Sequence, residues 1–225
     1  MILPETRVLR LGRASLLWRP RALAVCLALL LLCLFLTLLL LGTGTVRLSP
    51  AQVVEGLAGT SGETTVTRVL RGIRLPRVLT AALVGASLGM AGAVFQSLSR
   101  NALGSPDVIG FTTGAATGAI VQIVLFNAGT FQVASAAVVS GLATAVVVLA
   151  LARRRGTEGG YRLILVGIGV GAVLTGVNNM LMVMGNLDRA MSAQIWLAGS
   201  LNARSWSHVW PALAGLALFA PLLAL

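Results

Sequence analysis

Residues 22–41 read ALAVCLALLLLCLFLTLLLL, twenty positions without a charge. A helix rising about 1.5 Å per residue needs about twenty apolar residues to cross a hydrocarbon core of about 30 Å. The run follows a basic stretch carrying Arg7, Arg10, Arg13, Arg19 and Arg21. A cleaved signal sequence has a shorter apolar core, about 7–15 residues, and a small-residue cleavage pattern. The Gly42-Thr43-Gly44-Thr45 that follows shows no such pattern. The stretch therefore predicts an uncleaved first membrane helix, with residues 1–21 as a basic arm in the cytoplasm.

The same reading extends along the chain. Apolar runs at 78–98, 108–126, 131–152, 162–184 and 208–225 predict five more spans, which makes residues 22–225 one transmembrane domain and the fold an all-α, polytopic one. Of 225 residues, 57% are hydrophobic and 10% charged. Soluble domains average about 25% charged, so polar material is too scarce here to cover a soluble surface. With six crossings, the arm and the loops at 99–107 and 153–162 fall inside with ten Arg, and the loops at 42–77 and 185–207 fall outside with seven. The arm and the Arg153-Arg154-Arg155 run satisfy the positive-inside rule. The last span ends on Pro221-Leu222-Leu223-Ala224-Leu225 with no polar flank, which predicts a fragment cut as it leaves the sixth span.

Charge narrows the function. All 17 basic residues are Arg, against 6 acidic ones, for a net charge of +11. Without Lys there is no P-loop lysine, Schiff-base lysine or kinase lysine, so this chain hydrolyses no ATP through a Walker site. The Arg residues lie between apolar runs, and the few aromatics lie mostly inside them, which argues against nucleic acid and for membrane lipid. No Asp, Glu, Lys or His lies mid-span, which argues against a carboxylate-coupled secondary transporter. No nucleophile motif or metal-ligand spacing occurs. Cys26 and Cys33 act as small apolar residues on the first span, and His208 beside Trp206 and Trp210 reads as an interfacial anchor.

Small residues recur at helical spacing: Gly85 and Gly89; Gly110, Gly114 and Gly118; Gly167 and Gly171. Such stripes let helix backbones approach closely in lipid, or leave small faces along a wide path. On the fifth span Gly171, Thr175 and Asn178 or Asn179 share a face. Those amides either bond a neighbouring helix or face a water-filled conduit.

Three stretches go beyond composition: Ile73-Arg74-Leu75-Pro76-Arg77; GAVFQSLSRNALGSPDVIGF over residues 92–111; and Trp196-Leu197-Ala198-Gly199-Ser200-Leu201-Asn202 with Trp206 behind it. Together they resemble the FecCD-type permeases, membrane subunits of ABC importers for iron–siderophore complexes, with the vitamin B12 permease as a relative. The second stretch looks most like the ferric enterobactin permease branch. The resemblance runs from about residue 20 to the end, and Ala102 departs from it where the family commonly has Pro.

The resemblance implies the N-terminal part of a ten-helix type II ABC importer permease. Its partners would be a second permease subunit (paralogue or identical), two ATPase subunits that use the ATP, and an extracytoplasmic siderophore-binding protein. The chain itself would bind no cofactor or metal, and would sit in a bacterial inner membrane. Arg74 and Arg77 match positions that dock the carboxylates of the binding protein, a pairing that suits guanidinium chemistry. Arg68 and Arg71 would widen the positive field; the alternative for the cluster is snorkelling to lipid phosphates. Gly171, Thr175, Asn178 and Asn179 would line the path. Gly159, Gly160 and Tyr161 would form a cytoplasmic gate. Gln96, Arg100, Asn101 and Pro106 would hold the turn between the second and third spans. Residues 188–201 look like a short re-entrant or interfacial helix at the outer mouth. The expected function is transport of a ferric catecholate siderophore. The alternatives are another large chelate such as vitamin B12 or haem, a self-sufficient channel or secondary transporter, and a membrane scaffold or receptor.

Overall fold

The computed structural model describes residues 7–11, 14–18, 20–44, 46–59, 64–99, 105–153 and 159–224. Five helices are long and apolar enough to cross a membrane: Pro20–Gly42, Thr65–Ser97, Thr130–Ala152, Arg162–Met184 and Trp206–Leu223. The architecture is that of a multi-pass helical membrane protein. The chain divides into two compact units, Met1–Ala82 with Ala203–Ala212, and Leu83–Asn202 with Leu213–Leu225.

The first unit contains an element that hydropathy did not foresee. In the basic arm, β1 (Arg7–Leu11) pairs antiparallel with β2 (Ala14–Trp18), Arg7 opposite Trp18 and Leu11 opposite Ala14. The apolar run then forms α1 (Pro20–Gly42), with Pro at a first-turn position where its missing N–H costs no bond. No residue of its most apolar stretch is buried. Next, α2 (Pro50–Ala58) starts at a capping box: Gln52 N–H donates to Ser49 Oγ at 3.3 Å, and Ser49 N–H donates to Gln52 Oε1 at 2.9 Å. It ends at Gly59, whose φ of 78° is the left-handed conformation that glycine tolerates.

The second span differs from its expected form. Helix α3 (Thr64–Val69), a π turn (Leu70–Arg74) and α4 (Leu75–Ser99) follow one another without a break. The helix thus begins at Thr64 rather than Val78, and the arginines assigned to a loop lie on it. What secures its start is burial: Val66 and Leu70 pack with Leu41, Leu48 and Val53, and Leu57 and Val78 close the cluster.

The second unit contains a sixth apolar helix that is too short to be a span alone. A 3-10 turn (Pro106–Ile109) leads into α5 (Phe111–Val124), whose 14 residues reach only about 21 Å. Gly110, with φ of 71°, separates the two, and Asn127, with φ of 48°, follows the far end. Helix α6 (Thr130–Ala152) packs along α5. A Cβ at Gly114 would collide with the Thr144 side chain, and one at Gly118 with Ser140. Ser140 Oγ donates to the Gly114 carbonyl at 2.7 Å. This is close backbone approach through small residues. By contrast, Gly85 and Gly89 on α4 meet nothing within 4 Å among the described residues. Then come α7 (Gly159–Met184), α8 (Leu187–Ala198) and α9 (Trp206–Ala224).

Candidate functional site

The arginines on the π turn and its flanks divide into two kinds. Arg74 Nη1 donates to the Leu41 carbonyl at 2.6 Å, and its Nη2 donates to the Val46 carbonyl. Arg71 Nε donates to Gly56 O at 3.1 Å and Nη2 to Leu57 O at 2.5 Å. These carbonyls belong to the last turns of α1 and α2 and to the segment between them. The last four carbonyls of any helix lack intrahelical partners and carry the negative end of its dipole. A guanidinium answers both needs at once, and its fork reaches two acceptors. Arg68 and Arg77 are exposed and take part in no hydrogen bond or ion pair among the described residues. Of the four arginines expected to face a partner, two are therefore already engaged with backbone and two present free donors.

Proline explains the turn between them. In the π register Leu75 N–H bonds to the Leu70 carbonyl, so the Arg71 carbonyl needs the N–H of residue 76. That residue is Pro76, which has none. Trp206 Nε1 supplies the missing donor at 3.0 Å. The indole stacks at a tilt on Trp210, with ring centroids 6.2 Å apart. Trp206, which the sequence marked only as a neighbour of His208 and of the third motif, thus has a specific acceptor.

The same use of Arg recurs twice in the second unit. Arg189 Nη1 donates to Val124 O, the last residue of α5, at 2.9 Å. Arg162 Nη2 donates to Leu151 O near the end of α6 at 3.3 Å. Helix α8, which carries Arg189, is capped by Asn186 and buries Ala193 against Ile120 and Val124.

The expected path residues on α7 separate. Gly171 sits against Gly110 and Thr113 of the neighbouring elements. Asn178 is buried, and its Oδ1 has no hydrogen-bond partner among the described residues. Thr175 and Asn179 are exposed, and Thr175 Oγ1 donates back to the Gly171 carbonyl at 2.8 Å. Adjacent amides thus differ in surroundings, Asn178 buried and Asn179 exposed. An open cleft of about 700 Å³, which the sequence reading missed, lies at the turn between α5 and α6, where Gln122, Asn127, Gln132 and Ser135 share its lining with Phe126 and Val139. Its signal in the sequence was four polar side chains clustered around a short link.

The expected gate residues Gly159, Gly160 and Tyr161 form the first turn of α7 rather than a loop. In the expected turn, Gln96 is exposed on α4 and Pro106 opens the 3-10 turn, where Ser105 Oγ accepts from Asp107 N–H at 3.2 Å. Arg100 and Asn101 lie outside the described residues. Thr112 Oγ1 donates to Asp107 Oδ1, which ties the turn to α5. Among the described residues no group of three or more His, Cys, Asp or Glu is placed to hold a metal.

Long apolar helices and small-residue packing between α5 and α6 define a multi-pass helical membrane protein. The FecCD transport family model matches residues 29–225, and the chain belongs to that family. It is 43% identical over 191 residues to the ferric enterobactin transport system permease protein of Escherichia coli (strain K12), covering 85% of this chain and 57% of that one. It is 36% identical over 186 residues to the achromobactin transport system permease protein of Dickeya dadantii (strain 3937), covering 82% and 53%. The chain thus spans somewhat more than half the length of these relatives. A solved structure of a metal-chelate type ABC transporter in an inward-facing conformation superposes with a TM-score of 0.73 at 25% identity, covering 88% of this chain and 62% of that one.

Proposed function

We propose that this chain is part of the permease subunit of a bacterial inner-membrane ABC importer that carries a ferric catecholate siderophore inward, with its N-terminus in the cytoplasm. The observation that carries the reading is the 43% identity with the ferric enterobactin permease protein over most of the chain. In this reading an extracytoplasmic binding protein docks on the outer ends of α1 to α4. Its carboxylates pair with Arg77 and, more weakly, with Arg68, the two of the four arginines on the π turn and its flanks that carry free donors. Arg74 and Arg71 hold the surface they stand on. The chelate then passes between this subunit and a second permease, identical or a paralogue, along faces that include Thr175 and Asn179. Two ATPase subunits on the cytoplasmic side hydrolyse the ATP, and this chain binds no cofactor and makes or breaks no covalent bond.

The test is a graft. This segment replaces the matching part of the Escherichia coli ferric enterobactin permease, and uptake of radiolabelled iron is measured with ferric enterobactin, haem and labelled cobalamin as separate cargoes. Uptake of ferric enterobactin alone is expected. Uptake of cobalamin or haem in its place would overturn the substrate. In the same graft, Arg77→Glu is expected to abolish docking and uptake at unchanged protein level. Normal uptake by that variant would sink the docking assignment.

A further inference from the structure

Where α1 ends, a groove of about 780 Å³ opens between it and α2, floored by Phe35, Leu38, Leu39, Val53 and Val54 and edged by Arg47. That volume falls within the usual range of small-ligand sites, about 300–1,000 Å³. Its depth in a bilayer follows from the helix. Twenty-three residues span about 34 Å, slightly more than the hydrocarbon core, so the last turns of α1 lie where acyl chains meet headgroups. The side chains on the α1 wall are bulky. Helices that pack on one another in lipid do so through small residues, as α5 does on α6, whereas this wall is Phe35, Leu38 and Leu39 with a single glycine, Gly42, at its last position. The rim is cationic, and Arg47 has no hydrogen bond or ion pair among the described residues. It is also held in place: Arg74 bonds the carbonyls of Leu41 and Val46, and Leu48 N–H bonds the Gly42 carbonyl at 3.0 Å. An apolar trough at acyl depth with one unsatisfied guanidinium, carried on a backbone held on both sides, at headgroup depth has the complementarity of a phospholipid.

We propose that this groove binds one phospholipid, an acyl chain lying against Phe35, Leu38 and Val54 and the headgroup phosphate on the Arg47 guanidinium. The site does not depend on the cargo or on the docking assignment. The test is native mass spectrometry of the purified chain, delipidated in detergent and titrated with palmitoyl-oleoyl-phosphatidylglycerol, with glycerol-3-phosphate as the headgroup without its chains. One tightly held lipid is expected, and glycerol-3-phosphate does not displace it. Arg47→Gln is expected to weaken binding roughly tenfold, the loss of one charge-assisted contact. Val54→Trp, which fills the groove from an exposed position, is expected to weaken it as much with Arg47 intact. Leu38→Trp serves the same purpose if Val54→Trp loses helicity. Val146→Trp on the exposed face of α6 leaves binding unchanged. Wild-type lipid retention in Arg47→Gln or in the groove-filling variant overturns the proposal, as does displacement by glycerol-3-phosphate.

Discussion

Two glycine stripes in this chain carry the same spacing and meet opposite surroundings. On α5, Gly114 and Gly118 are pressed against Thr144 and Ser140 of α6, with Ser140 bonded to the Gly114 carbonyl. On α4, Gly85 and Gly89 face open space among the described residues. A Gly-x-x-x-Gly pattern therefore states that a helix can be approached closely, and not that it has been. The first stripe is consumed in holding one unit together. The second remains available for whatever lies beside α4 in the membrane.

That contrast can be broken by substitution. Gly114→Leu is expected to have the largest effect, about 3 kcal/mol or more, because the clash is with a side chain pinned between two packed helices. Thermal unfolding in detergent and the yield of folded protein read it out. Arg74→Ala comes next. It strips the end of α1 and the segment after it of their donor, and a charged hydrogen bond is worth about 1.5–3 kcal/mol. Arg77→Ala, with no partner to lose, is expected to leave the same unfolding curve within about 0.5 kcal/mol, as surface substitutions do. Equal shifts for the two would erase the division between structural and presenting arginines. Asn178→Leu removes an amide whose Oδ1 is unpaired, so it is expected to be neutral or mildly stabilising. Marked destabilisation would mean that the amide has a partner in the membrane. Gly89→Ala is expected to have the smallest effect on unfolding, under about 0.5 kcal/mol. Any larger change would close the difference between the two stripes.

Much of this was legible in sequence, for a physical reason. A membrane span announces itself locally, since hydropathy needs no knowledge of neighbours, and α1, α6, α7 and α9 stand within a few residues of the apolar runs that predicted them. The segment 64–77 was not legible in the same way. Its arginines suggested a solvated loop, although Val66, Leu70 and Val78 already carried a helical face that packs on Leu41 and Val53. The destinations of Arg71, Arg74 and Arg189 were also hidden. Each reaches a carbonyl 14 to 65 residues away, and backbone acceptors leave no mark in a sequence. The pair Asn178 and Asn179 shows a finer limit. Period places both near one stripe, and only the packing of α7 decides that the first is buried and the second exposed. Family membership was legible because its motifs are local, whereas the cleft at the α5–α6 turn is assembled from residues on both sides of a link.

The bond between Trp206 and the Arg71 carbonyl also has a consequence in time. Donor and acceptor lie 135 residues apart. Chains are synthesised at about 5–20 residues per second, so the π turn emerges roughly 7–27 seconds before the indole that completes it. During that interval the carbonyl exposed by Pro76 is served by water or by lipid headgroups alone, while the packing of Val66 and Leu70 on Leu41, Leu48 and Val53 already holds the start of the helix. The mature form of this surface is thus a late event in biogenesis, set by the last helix described here rather than by the segment that carries the arginines.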